Sequence, residues 1–462
     1  MAARALTNVR GKAVDRKAIA AFEAGLAGRL IRPGGSDYAA ARRIWNASID
    51  RRPGLIVRCQ GAADVVEAVN FARENNLRVA VRGGGHNVGG RAISDGGIVI
   101  DLSGMKAVHV DAARRSVRVQ GGATLGDLDR ETHLYGLAVP AGVVSQTGIA
   151  GLALGGGVGW LVRKHGLTCD NVLAFEVVTA DGRARTASAR QHPDLFWALR
   201  GGGGNFGVVT SFEFRAYPVS TVLGGLLVHP RERAGELLRF YRGFIEKAPR
   251  ELTAYCGLLH TPDGMPAAAV IACWSGERSR GEKVLRPLRQ FGPPLLDAIQ
   301  PMPFPALQSM LDDAFPSGNQ NYWKSTFLDG LSDGAIDLLV AHANKAASPL
   351  SAVVVEYYAG AANKVAPTAT AFAHRQMSYD IGILAQWTKP RDSKRHVAWA
   401  RGLSEALKPH ASGAFYLNFL DQEADATIRA AFGRNYARLA RIKKKYDPQN
   451  FFRLNQNIAP AK

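Results

Sequence analysis

Residues 82–90 read RGGGHNVGG and follow a predicted strand at 78–81. Consecutive glycines let several backbone N–H groups converge on an anion such as a phosphate. The stretch is not the dinucleotide-binding fingerprint of doubly wound folds, because that motif opens a helix, whereas a second predicted strand follows here at 97–102. It also lacks the Gly-Lys-Ser/Thr of a Walker loop. The stretch therefore predicts either a structural turn or another kind of anion-binding loop, in which His86 faces the ligand.

Two further glycine-rich blocks bear on that choice. Residues 148–160 read GIAGLALGGGVGW, and residues 199–208 read LRGGGGNFGV. The chain holds 50 glycines among its 462 residues, well above the roughly 7% of an average protein. Clustered glycines indicate backbone packed closely against a ligand, because a uniformly flexible chain would spread them more evenly.

The chain is strongly basic, with a formal net charge of +19 from 58 Lys and Arg against 39 Asp and Glu. The basic residues are scattered, except for a run of Arg441, Lys443, Lys444 and Lys445 on a predicted helix at 436–446. We interpret this run as a solvated helix face. No motif interleaves basic and aromatic residues as nucleic-acid-binding surfaces do. Nucleic acid is therefore not an expected partner, and a basic nucleic-acid-binding protein is kept only as a remote alternative.

The four cysteines show neither a CxxC pair nor the spacing of metal ligands. We expect reduced, structural thiols at Cys59, Cys169, Cys256 and Cys273, and no metal site. The first 25 residues carry charges throughout, and no run of about 18 apolar residues occurs. These features predict a soluble cytoplasmic protein, a monomer or a homodimer, with no membrane contact.

The pattern of predicted elements changes near residue 218. Before it, short strands, helices and glycine-rich turns alternate, with a predicted hairpin at 108–111 and 116–120. After it, longer amphipathic helices such as 393–407 alternate with strands such as 352–358. The second pattern is typical of an antiparallel sheet with helices on one face.

Taken together, the motifs resemble those of the vanillyl-alcohol-oxidase/PCMH superfamily of FAD-linked oxidases, and more narrowly its berberine-bridge-enzyme-like branch. Besides the three glycine-rich blocks, the matching stretches include 164–167 (KHGL) and 446–460 (YDPQNFFRLNQNIAP). The likeness is strong over 50–218 and 415–460 and only general between them.

The resemblance implies an α+β fold in three stretches of chain. Residues 1–218 would form a two-part PCMH-type FAD-binding domain. Residues 219–415 would form an inserted substrate domain, an antiparallel sheet plus helices. Residues 416–462 would form a berberine-bridge-like segment that returns to the FAD domain.

The resemblance also implies the residues that bind FAD. His86 would be bonded covalently to the 8α-methyl carbon of the isoalloxazine, which raises the flavin potential and favours substrate oxidation. The other implied FAD-binding residues are Arg82, Gly83, Gly84, Gly85, Asn87, Gly89, Gly90, Gln146, Thr147, Gly148, Gly151, Gly155, Gly156, Gly159, Trp160, Asp170, Asn171, Val177, Asn418, Asn455 and Asn457.

The sequence departs from the family pattern at two points. Many relatives carry a second flavin link through a cysteine, but Val144 stands at that position, so we expect attachment through His86 alone. Thr147, three positions later, has the small β-branched shape that is associated with oxygen access. Relatives acting on alcohols often use a tyrosine as base where this chain has Phe419. Tyr416 is the nearest remaining candidate for that role.

Two predicted strands of the insert resemble strands that face the flavin in this family. Alternation places Tyr322 and Lys324 on one face of the first strand, and Glu356 and Tyr358 on one face of the second. A Lys–Glu pair near a flavin could set the proton affinity of a base. We therefore count Lys324, Glu356 and Tyr358 with Tyr416 as candidate catalytic residues; the alternative for Lys324 and Glu356 is an exposed ion pair.

These expectations describe an FAD-dependent oxidase. A C–H bond next to nitrogen or oxygen in a small organic or secondary-metabolite substrate would give a hydride to flavin N5, and O2 would accept the electrons as H2O2. A dehydrogenase of the same fold with another acceptor, and an oxidative tailoring enzyme, remain alternatives.

Overall fold

The computed structural model of the protein describes residues 6–376, 378–420 and 425–462. Within that part of the chain, no helix is long and apolar enough to cross a membrane. The α-helices are α1 Arg16–Ala24, α2 Tyr38–Ala41, α3 Ala62–Glu74, α4 Leu125–His133, α5 Ile149–Leu154, α6 Val162–His165, α7 Pro193–Leu199, α8 Ala234–Ile245, α9 Arg278–Arg289, α10 Phe304–Ser309, α11 Asp333–Ala343, α12 Ser393–Ala406, α13 Asp425–Phe432 and α14 Tyr436–Tyr446.

The strands alternate with these helices along the chain. They are β1 Arg29–Ile31, β2 Leu55–Arg58, β3 Val79–Arg82, β4 Ile98–Asp101, β5 Val108–Asp111, β6 Ser116–Gln120, β7 Leu137–Ala138, β8 Val172–Val178, β9 Ala184–Ser188, β10 Val208–Arg215, β11 Tyr217–Pro218, β12 Thr221–Pro230, β13 Leu252–His260, β14 Pro266–Trp274, β15 Leu296–Asp297, β16 Gln300–Pro303, β17 Gln320–Leu328, β18 Ala352–Tyr357 and β19 Tyr379–Trp387.

The first sheet has four strands in the order β1-β2-β4-β3. Strands β2 and β3 both run parallel to β4, which lies between them, and α3 makes the crossover from β2 to β3. The glycine-rich loop at 83–90 therefore leaves the carboxyl end of β3, where the chain must turn back to start the parallel strand β4. Ligands of parallel sheets commonly bind at that edge.

A second, antiparallel sheet has the order β5-β6-β10-β8-β9. Its core includes Phe175 and Phe212, and Leu439, Ile442 and Ile458 of the C-terminal segment pack into the same cluster. The last part of the chain thus covers a sheet formed some 250 residues earlier in sequence, as the 251-residue separation of the Asn205–Gln456 hydrogen bond shows.

The third sheet is antiparallel throughout, in the order β15-β12-β14-β13-β18-β19-β17, with β16 also paired to β12. Helices α8, α9, α11 and α12 bury their apolar residues on one face of it, among them Leu237, Leu285, Ile336 and Leu403. The structure confirms the α+β fold. From the separate cores of this sheet and the second sheet, we propose domain limits at 218 and 415.

The basic run on α14 is only partly solvated, so the interpretation of the whole run as a solvated helix face was wrong. Lys443 is not solvated: its side chain is 0% exposed, and Nζ donates to Asp447 Oδ2 at 2.6 Å. The same ammonium donates to the carbonyls of Asn205 and Phe452. Lys444 and Lys445 are exposed as expected. Lys443 differs from its neighbours because the C-terminal segment folds back over this side of the helix.

Candidate active site

A cavity of about 910 Å³ lies between the glycine-rich loops and the face of the third sheet opposite helices α8, α9, α11 and α12. One wall is largely backbone, from residues 83–87, 147–155 and 203–207. The facing wall is made of side chains, among them Trp323, Val354 and Leu384 of strands β17, β18 and β19. The two walls come from separate sheets, so the cavity exists only when those sheets are assembled.

The backbone wall is held together by direct contact between two loops. A Cβ atom on Gly148 would lie 2.3 Å from the nitrogen of Gly84, and a Cβ on Gly84 would lie 2.5 Å from the nitrogen of Gly148. Real Cβ atoms do not approach backbone so closely, so only glycine fits at both positions. Two of the glycine-rich blocks therefore meet backbone to backbone.

His86 lies in the cavity wall next to this junction. Its ring stacks on Trp45, with 4.4 Å between ring centroids and 20° between planes. Nε2 is buried and has no hydrogen-bond partner among the described residues. Burial lowers the pKa of His86 to about 4, because the charged form loses its hydration. At neutral pH the imidazole is uncharged, and one nitrogen offers a lone pair.

Two buried carboxyl groups lie on the opposite side of the cavity. Glu356 lines it and pairs in register with Asp380 on the neighbouring strand. The hydroxyl of Tyr358 donates to Glu356 Oε2 and lies 3.2 Å from Asp380 Oδ2. Burial, and after it the like charge of Asp380, raise the pKa of Glu356 to about 8, and burial raises the pKa of Asp380 to about 6.

This arrangement binds a proton near neutral pH. One tyrosine hydroxyl has a single proton and can satisfy only one carboxylate at a time. Asp380 has a second partner in Ser325, whose hydroxyl donates to Oδ1 at 2.6 Å. The two carboxyl groups therefore titrate as a pair.

Tyr416 also lines the cavity, beside Asn418. Its hydroxyl accepts a hydrogen bond from Asn418 Nδ2 at 2.9 Å, and its backbone N–H donates to Ser325. Burial raises the pKa of Tyr416 well above its ordinary value, so the phenol stays protonated. Phe419 packs edge-on against Trp323, with centroids 5.6 Å apart.

The structure brings many of the predicted site residues together. Those that line the cavity are Gly83, Gly84, Gly85, His86, Asn87, Thr147, Gly148, Gly151, Gly155, Glu356, Tyr416, Asn418 and Asn455. They come from residues 83–87, 147–155, 356, 416–418 and 455.

Other predicted residues lie away from the cavity wall. Among the described residues these are Arg82, Gly89, Gly90, Gln146, Gly156, Gly159, Trp160, Asp170, Asn171, Val177, Lys324, Tyr358 and Asn457. Tyr358 still reaches the site through its hydrogen bond to Glu356.

Several of these residues support the wall from behind. Arg82 is turned beneath its loop, where Nε donates to Asp101 Oδ1 at 3.0 Å. Asp170 forms a bidentate ion pair with Arg375. Asn171 donates to the carbonyls of His165 and Leu167. Their side-chain polar groups are used inside the protein, and their part in FAD binding stays a prediction.

Lys324 does not lie beside Glu356, contrary to the hypothesis of a Lys–Glu pair. It pairs in register with Ile383, which lies in the helix-covered core, and Nζ sits 5.8 Å from the centre of the Tyr322 ring. Glu356 faces the cavity on the other side of the same sheet. No Lys–Glu pair can form across the sheet, and Asp380 is the ionisable neighbour of Glu356.

Asp380 and Trp45 are site residues that sequence reasoning missed. Asp380 could have been found, because it is the one charged residue in the otherwise uncharged strand YDIGILAQW, and a charge buried in a strand demands a partner. Trp45 carried no local signal, because its contact with His86 spans 41 positions of chain. Gly203, Gly204 and Gly207 line the cavity from a block that was noted but not assigned residue by residue.

Known proteins match the chain over nearly its whole length. A family model for an FAD binding domain matches residues 53–188, and one described as berberine and berberine like matches residues 415–459. The FAD-linked oxidoreductase YgaK of Bacillus subtilis is 34% identical, over 95% of this chain and 98% of the relative. (R)-6-hydroxynicotine oxidase of Paenarthrobacter nicotinovorans is also 34% identical, over 94% of this chain and 97% of the relative.

The fold matches as well. The crystal structure of 6-hydroxy-D-nicotine oxidase from Arthrobacter nicotinovorans superposes with a TM-score of 0.87 at 31% identity, covering 94% of this chain and 98% of that one. Fold and cavity together define an FAD-dependent oxidoreductase. The chain belongs to the berberine-bridge-enzyme-like branch of the PCMH superfamily of FAD-linked oxidases.

The residues that line the cavity have the chemistry that FAD binding needs. The glycine wall offers backbone N–H groups without side chains in front of them, which suits a pyrophosphate. His86, whose Nε2 is buried and has no hydrogen-bond partner among the described residues, lines the same space. All four cysteines are buried away from the cavity wall, and Val143 and Val144 line it instead.

Proposed function

We propose that this protein is an oxidase that carries FAD on His86 alone and oxidises a C–H bond next to nitrogen or oxygen in a small organic substrate, with O2 as the electron acceptor. The observation that carries the proposal is that His86, whose buried Nε2 has no hydrogen-bond partner in the described part of the chain, lines the same cavity as Glu356. Bound FAD supplies the hydride acceptor and, once reduced, a two-electron donor to O2, which yields H2O2.

Glu356 is the group we assign to proton removal. Its carboxyl lines the cavity, and a pKa of about 8 matches a base that works near neutral pH. A proton taken from the substrate O–H or N–H is held by the Glu356–Asp380 pair and passes between the two carboxyls through the hydroxyl of Tyr358. Tyr416 remains protonated and can donate a hydrogen bond to the substrate.

The rest of the facing wall supports a substrate with a large apolar part. Leu259, Ile271, Phe315 and Leu384 line it, and they exclude water from the reacting atoms. Trp323 adds a buried Nε1–H that has no partner among the described residues and can position a substrate oxygen or nitrogen. Thr147, a small β-branched residue in the flavin wall, supports O2 as the acceptor.

The attachment is tested by precipitating the purified yellow protein with acid. We expect the colour to stay with wild-type protein and to leave with His86→Ala. His109→Ala, at an exposed position on β5, is the matched control and should behave as wild type. Release of all flavin from the wild type would overturn the covalent assignment.

The acceptor is tested separately. The flavin is reduced without air and mixed with air-saturated buffer in a stopped-flow instrument. Reoxidation within seconds is expected of an oxidase; flavin that stays reduced for minutes would make the protein a dehydrogenase of the same fold.

A further inference from the structure

A short segment, residues 45–47, lies between the His86 loop and β17, the edge strand of the third sheet. The backbone N–H of Trp45 donates to the carbonyl of Gly85, the residue before His86, at 3.2 Å. The indole ring stacks on the imidazole. Trp45 is 4% exposed and is not part of the cavity wall. Its contacts with the cavity wall run through Gly85, His86 and Trp323.

Trp45 is itself fixed from the side opposite His86. Its Nε1 donates to the carbonyl of Phe315 at 2.8 Å. Its ring meets Trp323 of β17 edge to face, with centroids 5.2 Å apart and 72° between planes. An aromatic ring held by a hydrogen bond and an edge contact has little freedom to rotate.

The next residue ties the same segment to both walls. Asn46 is buried, and its Nδ2 donates to the carbonyls of Val88 at 2.7 Å and Asn321 at 2.9 Å. Its Oδ1 accepts from the N–H of Asn321 at 2.9 Å. Asn46 therefore fixes the segment to the far end of the His86 loop and to β17, so Trp45 has a rigid base.

Covalent attachment demands a fixed imidazole. The bond joins a ring nitrogen of His86 to the 8α carbon of the isoalloxazine. One proton leaves that carbon, one leaves the imidazole N–H, and the two electrons that remain reduce the flavin and pass to O2. The nitrogen must approach that carbon with its lone pair aligned, and misplacement by about 1 Å can cost about a hundredfold in rate. The preceding residue, Gly85, has φ +69° and gives the loop no stiffness of its own.

We propose that Trp45 is the positioning residue for flavin attachment: its stacked ring holds the His86 imidazole in one orientation at the cavity wall. This inference rests on the proposed bond between FAD and His86. The burial that the indole provides also keeps the imidazole uncharged.

The test follows attachment itself. The full-length chain is produced in riboflavin-limited cells, FAD is added in air, and intact mass is recorded over time. At saturating FAD we expect Trp45→Leu to form the bond at least about tenfold more slowly than wild type. Its affinity for FAD before attachment should stay within about threefold of the wild-type value. Trp45→Phe, which keeps a flat ring, should recover most of the rate.

Trp387 offers a matched control. It is 3% exposed and stacks on His396 with centroids 5.0 Å apart and 14° between planes, outside the cavity wall. Trp387→Leu removes an equivalent stack, so it should attach flavin at the wild-type rate. Trp45→Met serves if the leucine variant does not fold, because it keeps volume without a planar ring.

The outcomes separate the two proposals. Attachment by Trp45→Leu or Trp45→Met at the wild-type rate, or equal slowing by Trp387→Leu, would overturn the positioning role and leave His86 as the tether. A gain of flavin mass by His86→Ala would overturn the tether itself.

Discussion

The two walls of the cavity are built from different materials. The flavin wall is backbone from short, glycine-rich stretches at 83–87, 147–155 and 203–207. The substrate wall is side chains from strands scattered between residues 255 and 384. Backbone presents the same N–H groups whatever the neighbouring residues are, so it suits a cofactor shared by a family. Side chains set charge and shape, so they determine which substrate reacts and where its proton goes.

The two walls should therefore differ in their tolerance of substitution. A new side chain in the flavin wall collides with backbone, which cannot move without dismantling a loop. A changed side chain in the substrate wall alters chemistry and leaves the flavin in place. Three substitutions test this contrast.

The largest effect is expected at the junction of the two glycine loops. Gly148→Ala places a methyl group 2.3 Å from the nitrogen of Gly84, so the loops must separate and FAD binding should be lost. The ratio of flavin to protein in the visible spectrum measures this. Gly243→Ala is the control, because a Cβ there meets nothing within 4 Å, and alanine in helix α8 should stabilise slightly. A fully flavinylated Gly148→Ala variant would show that backbone contact does not define this wall.

The second-largest effect is expected at Lys443, which supports the flavin wall from behind through its hydrogen bond to the carbonyl of Asn205. Lys443→Met removes a buried cation and leaves the Asp447 carboxylate with backbone N–H donors but without a countercharge. Loss of one member of a buried pair costs about 3–5 kcal/mol of the free energy of unfolding, and a denaturant titration would show it. Lys444→Met, at an exposed position of the same helix, should be close to neutral. Equal stability of the two variants would return Lys443 to the solvated face that the sequence suggested.

The substrate wall should lose chemistry without losing flavin. Glu356→Gln keeps the shape of the side chain but cannot take a proton, so kcat should fall about 10²–10³-fold while flavin content is unchanged. Glu67→Gln on the exposed face of α3 is the control. Wild-type kcat/KM should rise as pH increases through about 8, because Glu356 loses its proton there and becomes able to accept one. A Glu356→Gln enzyme with wild-type kcat would remove Glu356 from catalysis.

Glu356→Gln also tests how the stability of the fold depends on pH, and the direction of the expected change follows from the raised pKa of Glu356. The pKa of Glu356 is raised from 4.5 to about 8 in the folded state, so its protonated form stabilises the fold below pH 4.5. That contribution is lost as pH rises through about 8. The Tm of wild type minus that of Glu356→Gln should therefore decrease from pH 5 to pH 8. A constant difference would mean that the carboxyl is ionised throughout.

Local patterns predicted the elements well. The hairpin expected at 108–111 and 116–120 forms at those residues, and the helix expected at 393–407 is Ser393–Ala406. Both depend on hydrophobic periodicity and on turn signals that lie within a few residues. The glycine-rich blocks also predicted the backbone wall of the cavity. A backbone that approaches a ligand closely needs glycine at the points of approach.

The facing wall was harder to predict. Alternation placed Tyr322 and Lys324 on the same face of β17, but it could not say which face the helices cover. That depends on how α12 and the sheet pack, so the structure put Lys324 on the covered side and Glu356 on the open one. The partner of Glu356 lay 24 positions away, on a strand whose register no local pattern gives.

The sequence by itself determined the family and predicted the glycine-rich loops and His86 as the flavin site, because these lie in contiguous motifs whose backbone requirements can be read residue by residue. Only the tertiary structure decided that Trp45 stacks on His86, that Glu356 and Asp380 form a buried carboxyl pair, and that Lys443 is enclosed by the C-terminal segment. Each of these is a contact between side chains on different elements. Its energy depends on burial and register, which exist only once the sheets have been packed together.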